Sequence, residues 1–172
     1  MKLNLRAPKL SDKKYFLKWW NDPYLISMTS GRKENLANLN QWFDQLLKSE
    51  DKQFLILSNR KPIGHIALAK KSKTMFRTPI IIGEASYRGR GIGTWALRQV
   101  LEKGFKKYSM AYLEVRPENK HAKKVYKDIG YQKTAVKIYK NNPHQPKTEV
   151  MKLTKRGFML ANNRLQPSST IK

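Results

Sequence analysis

The sequence predicts a mixed α/β (α+β) fold in a single domain, and three observations carry that expectation. The hydrophobic patterns follow the order β-α-α-β-β-β-α-β-α-β-β. A hairpin signature stands in the first half, with a turn at Asn59-Arg60-Lys61-Pro62 between two apolar runs. A glycine-rich stretch, "YRGRGIGTWAL", joins an aliphatic run to a long helix-periodic one. At 172 residues and 40% hydrophobic, the chain can bury one sizeable core and is short for two.

Residues 2–6 alternate apolar and polar, as a strand does. Ser11-Asp12 starts a helix carrying Tyr15, Phe16, Trp19 and Trp20, which Asn21-Asp22-Pro23 stops. Leu36, Leu39, Phe43, Leu46 and Leu47 mark a second amphipathic helix over residues 34–48. Residues 53–58 and 63–69 are the hairpin strands, and 70–74 a basic loop. Residues 78–83 are almost all aliphatic and read as one buried central strand. After the glycines, Ile92, Ala96, Val100, Leu101 and Phe105 define the long helix, and 111–116 a further strand. A short helix over 119–128 closes on Gly130 at its C′ position. Residues 131–139 and 148–153 are the last strands, joined by a polar loop at 141–146. The domain is therefore expected to span 1–153, with 154–172 a polar C-terminal tail.

Composition excludes several chemistries. There is no cysteine, so disulfides, thiolate metal sites and covalent cysteine mechanisms are out. His65, His121 and His144 are dispersed, without a second ligand at helical spacing, and no metal is expected. The longest aliphatic run is Ile80-Ile81-Ile82, and residues 1–10 lack a signal-peptide core; a cytoplasmic protein without a membrane span is expected. Charge is the unusual quantity: 36 Lys+Arg against 12 Asp+Glu give a formal net charge of +24. A field of that sign concentrates anions such as nucleotides, phosphorylated cofactors or RNA. The lysines are spread along the chain, so a generally basic proteome accounts for the same number.

The glycine segment is a candidate phosphate site. A Walker loop is excluded because G-x-x-x-x-G-K-[ST] is absent. Gly91-Ile92-Gly93-Thr94-Trp95-Ala96 fits the G-x-G-x-x-A dinucleotide pattern, with Glu114 near the distance of a ribose ligand. Against that reading, residues 84–90 intervene after the strand, and the unit follows a hairpin instead of opening a parallel sheet. The third reading is R-x-x-G-x-G, formed by Arg88, Gly91 and Gly93. Successive N–H groups from Arg88 to Thr94, aided by the helix dipole, would meet an anion there. Arg88 and Arg90 would add charge, and glycines 89, 91 and 93 would let a pyrophosphate approach.

These residues resemble the GNAT superfamily of acetyl-CoA-dependent N-acetyltransferases, whose signature is R/Q-x-x-G-x-G/A. The opening "LNLRAPKLSDKKYFLKWWNDPYL" is similar to the RimJ/RimL-like branch, ribosomal-protein N-acetyltransferases whose first helix ends in W-x-N-D-P. In "LEVRPENKHAKKVYKDIGY", Leu113, Val115, Asn119, Ala122, Tyr126, Gly130 and Tyr131 match a second family segment. The likeness covers residues 3–153. It implies a central, mixed but mostly antiparallel sheet, flanked by helices, in which two parallel strands splay apart. Acetyl-CoA is then the acetyl donor: its pantetheine arm lies in the splay against the backbone of Ile81, Ile82 and Gly83, and its pyrophosphate rests on Arg88, Gly89, Arg90, Gly91, Ile92, Gly93 and Thr94. Asn119 and Tyr126 complete the cofactor-binding set, and Lys120, Lys123 and Lys124 either reach its phosphates or only solvate a helix face.

The resemblance implies direct transfer to an amine. Tyr126 matches the tyrosine beside the coenzyme sulfur; its phenol, with a reference pKa of about 10 against about 8.5 for a thiol, is the expected donor to the departing thiolate. Glu114 shares its L-E-V-R context with a catalytic base of ribosomal-protein alanine acetyltransferases; strand alternation leaves it facing the acceptor or solvent. Glu84 reads as structural or solvated. Some relatives carry a catalytic Glu at the start of the preceding strand; Met75-Phe76-Arg77-Thr78 has none, which leaves a water relay open.

The expected acceptor is a primary amine on a protein N-terminus or a ribosome- or RNA-associated molecule, with small-molecule amines such as amino-sugar nucleotides or antibiotics as the alternative. Like-charge repulsion disfavours polyamines and aminoglycosides. A reading of another class is an RNA-binding module on a degenerate acetyltransferase scaffold. A monomer or a homodimer suits either.

Overall fold

The computed structural model describes residues 1–163. The chain runs β1 (Leu3–Arg6), α1 (Lys13–Trp20), α2 (Pro23–Met28), α3 (Leu36–Lys48), β2 (Lys52–Ser58), β3 (Lys61–Lys70), β4 (Met75–Arg77), β5 (Ile80–Ile82), α4 (Ile92–Gly104), β6 (Met110–Val115), α5 (Lys120–Ile129), β7 (Gln132–Ile138), β8 (Lys147–Thr154) and α6 (Lys155–Asn163). Its eight strands form one sheet in the order β1-β2-β3-β4-β6-β8-β7, with β5 paired to β3. Every pairing is antiparallel except β4 with β6. This is the mixed, mostly antiparallel sheet that the sequence led us to expect.

Alternation along β2 sends Leu55 and Leu57 to one face of the sheet and Ile56 to the other. Phe16, Trp19 and Phe43 of α1 and α3 cover the first face, all with no exposed surface. On the second face, Ile92, Ala96, Leu97, Val100 and Leu101 of α4 meet Ile63, Ile66 and Phe76 of β3 and β4. Gly104 lets the end of α4 close on β4, since a Cβ there would lie 2.3 Å from the Phe76 ring. No helix among the described residues is long and apolar enough to cross a membrane.

Three details depart from the sequence reading. The strand expected over 78–83 is shorter, Ile80–Ile82, and a separate strand, β4, precedes it over Met75–Arg77. Pro79 between them has no N–H to give a ladder, and across it the chain loses a partner: β4 pairs both β3 and β6, whereas β5 pairs only β3. Asn21-Asp22-Pro23 stops α1 but also starts α2, with Pro23 in the first turn and Asp22 Oδ1 accepting from the Leu25 N–H at 2.9 Å. Residues 155–163 are helical instead of a polar tail. Thr154 Oγ1 accepts from the Gly157 N–H at 3.0 Å, and Phe158, 4% exposed, packs its ring 5.4 Å from that of Phe105. The remaining tail, 164–172, lies outside the described residues.

Candidate active site

The loss of a partner across Pro79 creates the site. The parallel pairing of β4 with β6 ends at Arg77 and Tyr112. Beyond it Leu113, Glu114 and Val115 pair only with β8, and β5 pairs only with β3. A wedge therefore opens between β5 and the C-terminal half of β6, within a cleft of about 1310 Å³. Ile80, Ile81 and Ile82 are half-buried because they line this cleft, where the sequence suggested full burial.

The glycine segment forms the cleft's rim. After a 3₁₀ turn at Ala85–Tyr87, Gly89 and Gly91 take left-handed conformations with φ of 73° and 74°. It is this backbone geometry that demands glycine, since a Cβ at either position would meet nothing within 4 Å. Gly91 is the N-cap of α4, and no side chain caps the helix. None of the N–H groups from Gly89 to Thr94 donates to a described group outside the helix, so six main-chain donors stand at a positive helix end. The Arg88 N–H does not join them, because it donates to the Ala85 carbonyl at 3.1 Å.

The Arg88 side chain also departs from the expected role. Its Nε donates to the Ile82 carbonyl at 2.9 Å, and its Nη2 to the Gly83 carbonyl at 2.8 Å and to Asp22 Oδ2 at 3.0 Å. The guanidinium lies 4.7 Å from the Tyr24 ring centroid. Arg88 thus ties the end of β5 to the start of α2, and two carbonyls expected to face a pantetheine arm already have a partner. Arg90 is exposed and pairs with no carboxylate among the described residues, which leaves it as the free guanidinium of the segment. At Gly83, a Cβ would lie 2.2 Å from the Trp19 ring; Trp19 Nε1 and Lys18 Nζ both donate to Glu84, which is therefore a structural acid.

Across the cleft, Asn119 Oδ1 caps α5 by accepting from the Ala122 N–H at 3.1 Å. Tyr126 lines the cleft from α5, its ring 5.7 Å from that of Tyr131. Its hydroxyl has no hydrogen-bond partner among the described residues and is open to the cleft. Burial pushes the phenol up to about 12.

Glu114 does face the cleft, at the centre of a network that sequence reading missed. Tyr112 donates at 2.5 Å, Lys137 at 2.8 Å and Thr148 at 2.9 Å, and the Tyr139 hydroxyl donates as well. Burial raises the carboxyl pKa, but these donors outweigh it and hold the group down at about 2. Arg116, two residues on, donates to the Thr29 carbonyl at 3.2 Å and to the His144 carbonyl at 2.6 Å. It clips the α2–α3 loop to the β7–β8 loop at the far mouth of the cleft. Strand alternation from Tyr112 to Glu114 to Arg116 was the available signal. His65, on the cleft floor beside Phe16, is pressed down to about 4 by its apolar surroundings, and its Nε2 lies 2.9 Å from Gln53 Oε1.

A helix start with open main-chain donors thus stands beside a wedge between diverging strands, and comparisons with known proteins identify the family in which this arrangement falls. Residues 2–132 match the acetyltransferase (GNAT) domain, and the chain belongs to that family. The chain is 30% identical over 78 residues to N-alpha-acetyltransferase RimI of Mycobacterium tuberculosis; that match covers 44% of this chain and 48%, about half, of the relative. Among solved structures, aminoglycoside acetyltransferase AAC(6′)-Ib in complex with coenzyme A superposes with a TM-score of 0.77 at 18% identity, covering 94% of this chain and 99% of that one. Spermidine N-acetyltransferase from Vibrio cholerae, in complex with CoA and spermine, has a TM-score of 0.77 at 18% identity, covering 91% and 98%. At such identities the likeness is one of fold.

Proposed function

We propose that the protein is an N-acetyltransferase of the RimJ/RimL-like kind, acting on the primary amine of a protein N-terminus or of an anionic, RNA-associated acceptor. The observation that carries the enzymatic reading is the run of unbonded N–H groups from Gly89 to Thr94 beside the wedge. Acetyl-CoA supplies a thioester, which the neutral amine attacks while the C–S bond breaks. Gly89, Gly91, Ile92, Gly93 and Thr94 bind its pyrophosphate through their main-chain donors, with Arg90 adding charge. Tyr126 remains protonated at working pH. With its pKa near 12, complete proton transfer to a thiolate is uphill, so Tyr126 stabilises the leaving sulfur by a hydrogen bond.

Glu114, held near pKa 2, is a poor base for an ammonium group. Its role is to orient the acceptor, and the amine proton leaves through water. An α-amine, with pKa near 7.7–8.0, already has a large neutral fraction at neutral pH and needs less help than a lysine near 10.4. The charge of the cleft supports the acceptor class. Arg77, Arg116 and Lys124 line it, and its carboxylates Glu114 and Asp128 are already paired with Lys137 and Lys124. A polycation of the kind bound by the solved relatives finds no unpaired carboxylate among the described lining residues.

A thermal-shift assay with acetyl-CoA tests the donor site. At a hundred times Kd, binding stabilises by about 2.7 kcal/mol, and Gly91→Glu should abolish the shift. No shift in the wild type overturns the enzyme reading in favour of a degenerate, RNA-binding scaffold. Thiol release against peptides with free N-termini, kanamycin and spermine then sorts the acceptors. A preference for kanamycin or spermine would replace the proposed class with small-molecule amines.

A further inference from the structure

At the end of the sheet opposite the cleft, three chain reversals meet. The Ser109 N–H donates to the Thr74 carbonyl at 3.1 Å, and the Ser109 carbonyl accepts from the Lys155 N–H at 3.1 Å. This joins the β3–β4 turn, the α4–β6 turn and the β8–α6 junction. From them project Lys70, Lys71 and Lys73, then Lys103, Lys106 and Lys107, then Lys155 and Arg156, all exposed. None pairs with a carboxylate among the described residues. Elsewhere nine of the twelve carboxylates, all but Glu50, Asp51 and Glu102, lie within 4.0 Å of a cation. The acids near this end are Glu50, Asp51 and Glu102, and Asp51 accepts from the Lys70 main-chain N–H.

Ordinary helix electrostatics explains only part of the cluster. Lys103, Lys106 and Lys107 sit favourably at or just beyond the C-terminus of α4, whereas Lys155 and Arg156 occupy the first turn of α6, the end that repels cations. Holding eight like charges on three converging turns is unfavourable unless a polyanion relieves it. The aromatic side chains of these turns, Phe105 and Tyr108, are buried, so nothing there is placed to stack on bases. We propose that this end of the sheet is a docking face for the phosphate backbone of structured RNA, read by charge and shape and not by sequence. Along β6 the first cleft-lining residue, Tyr112, stands three positions from Ser109, roughly 10 Å at about 3.3 Å per residue, and the wedge opens away from this end. RNA can therefore dock while the cleft stays open. The face extends the acceptor class proposed above, and its existence does not depend on that reading.

Fluorescence anisotropy with a 16-base-pair RNA duplex tests it. Compare the wild type with Lys73→Glu/Lys106→Glu/Lys107→Glu/Arg156→Glu and with a control, Lys2→Glu/Lys14→Glu/Lys61→Glu/Lys140→Glu, of equal net charge. The face variant should bind at least tenfold more weakly, and its slope of log K against log salt should shrink by about 3, from four lost phosphate contacts at 0.7–0.9 each. The control should stay within about threefold of wild type. Glutamine at the same four face positions should act in the same direction, which guards against misfolding of the charge-reversed protein. Equal losses in face and control variants, competition between acetyl-CoA and the duplex, or a preference for phosphatidylserine vesicles over RNA would each overturn the proposal. If acetyl-CoA gives no thermal shift but the duplex data hold, the enzymatic reading fails and the docking face stands.

Discussion

Arg88 and Arg90 lie two residues apart and have separate duties. Arg88 satisfies two carbonyls at the end of β5 and the Asp22 carboxylate, so Arg88→Ala should cost about 2–3 kcal/mol in urea unfolding. Arg90→Ala should change stability by less than about 0.5 kcal/mol yet weaken acetyl-CoA binding in a titration. Equal stability effects would contradict this division. Glu114 has a distinct pH signature. Its folded pKa of about 2 lies below the usual 4.5, so its stabilisation is present above pH 4.5 and is lost as pH falls toward 2. With the side chain 22% exposed, the effect is on the order of 2–3 kcal/mol. Chemical unfolding of Glu114→Gln across pH 2–5 should show a shallower acid decline than the wild type; parallel curves would show that the network does not perturb Glu114.

Loops that bound the far mouth of the cleft depend on one side chain. Arg116 bonds carbonyls on both, and a Cβ at Gly31 would lie 2.6 Å from Arg116 Nη1 and 2.5 Å from the His144 carbonyl oxygen. Arg116→Ala should raise amide exchange at residues 29–31 and 144–146 together and raise acceptor KM, with the acetyl-CoA thermal shift unchanged. Faster exchange in one loop alone would break the link. Element patterns also show what was legible in the sequence. The hairpin, the α4 periodicity and the Gly130 cap are local signals, and they appear as expected. The separate β4 and the free edge of β5 were hidden, because Ile80 to Ile82 has the composition of a buried strand whether its free edge meets protein or a cleft. Helix α6 was missed because Phe158 is its one fully enclosed apolar side chain and Met159 and Leu160 are exposed. At the site, the glycine rim was legible from spacing. The donors around Glu114 were not, since Lys137, Tyr139 and Thr148 reach it only through the register of β7 and β8 against β6.

Across the whole molecule, cations far outnumber the acids that could offset them. With a net charge of +24 and most carboxylates already paired, the surplus lysines and arginines repel one another. Raising salt from 10 to 100 mM shortens the Debye length from about 30 to about 10 Å, and Tm should rise by several degrees. A flat Tm would mean that the cations are too far apart to interact. One architectural feature reaches beyond stability. The loss of a partner at Thr78–Pro79 leaves two half-sheets, β1-β2-β3-β5 and β4-β6-β8-β7, joined at Ala69–Lys70 against Phe76–Arg77. Below that seam there is no ladder for a widening motion to rupture. The width of the wedge is therefore set by side-chain packing under α4 and by the Arg116 clip, not by main-chain pairing.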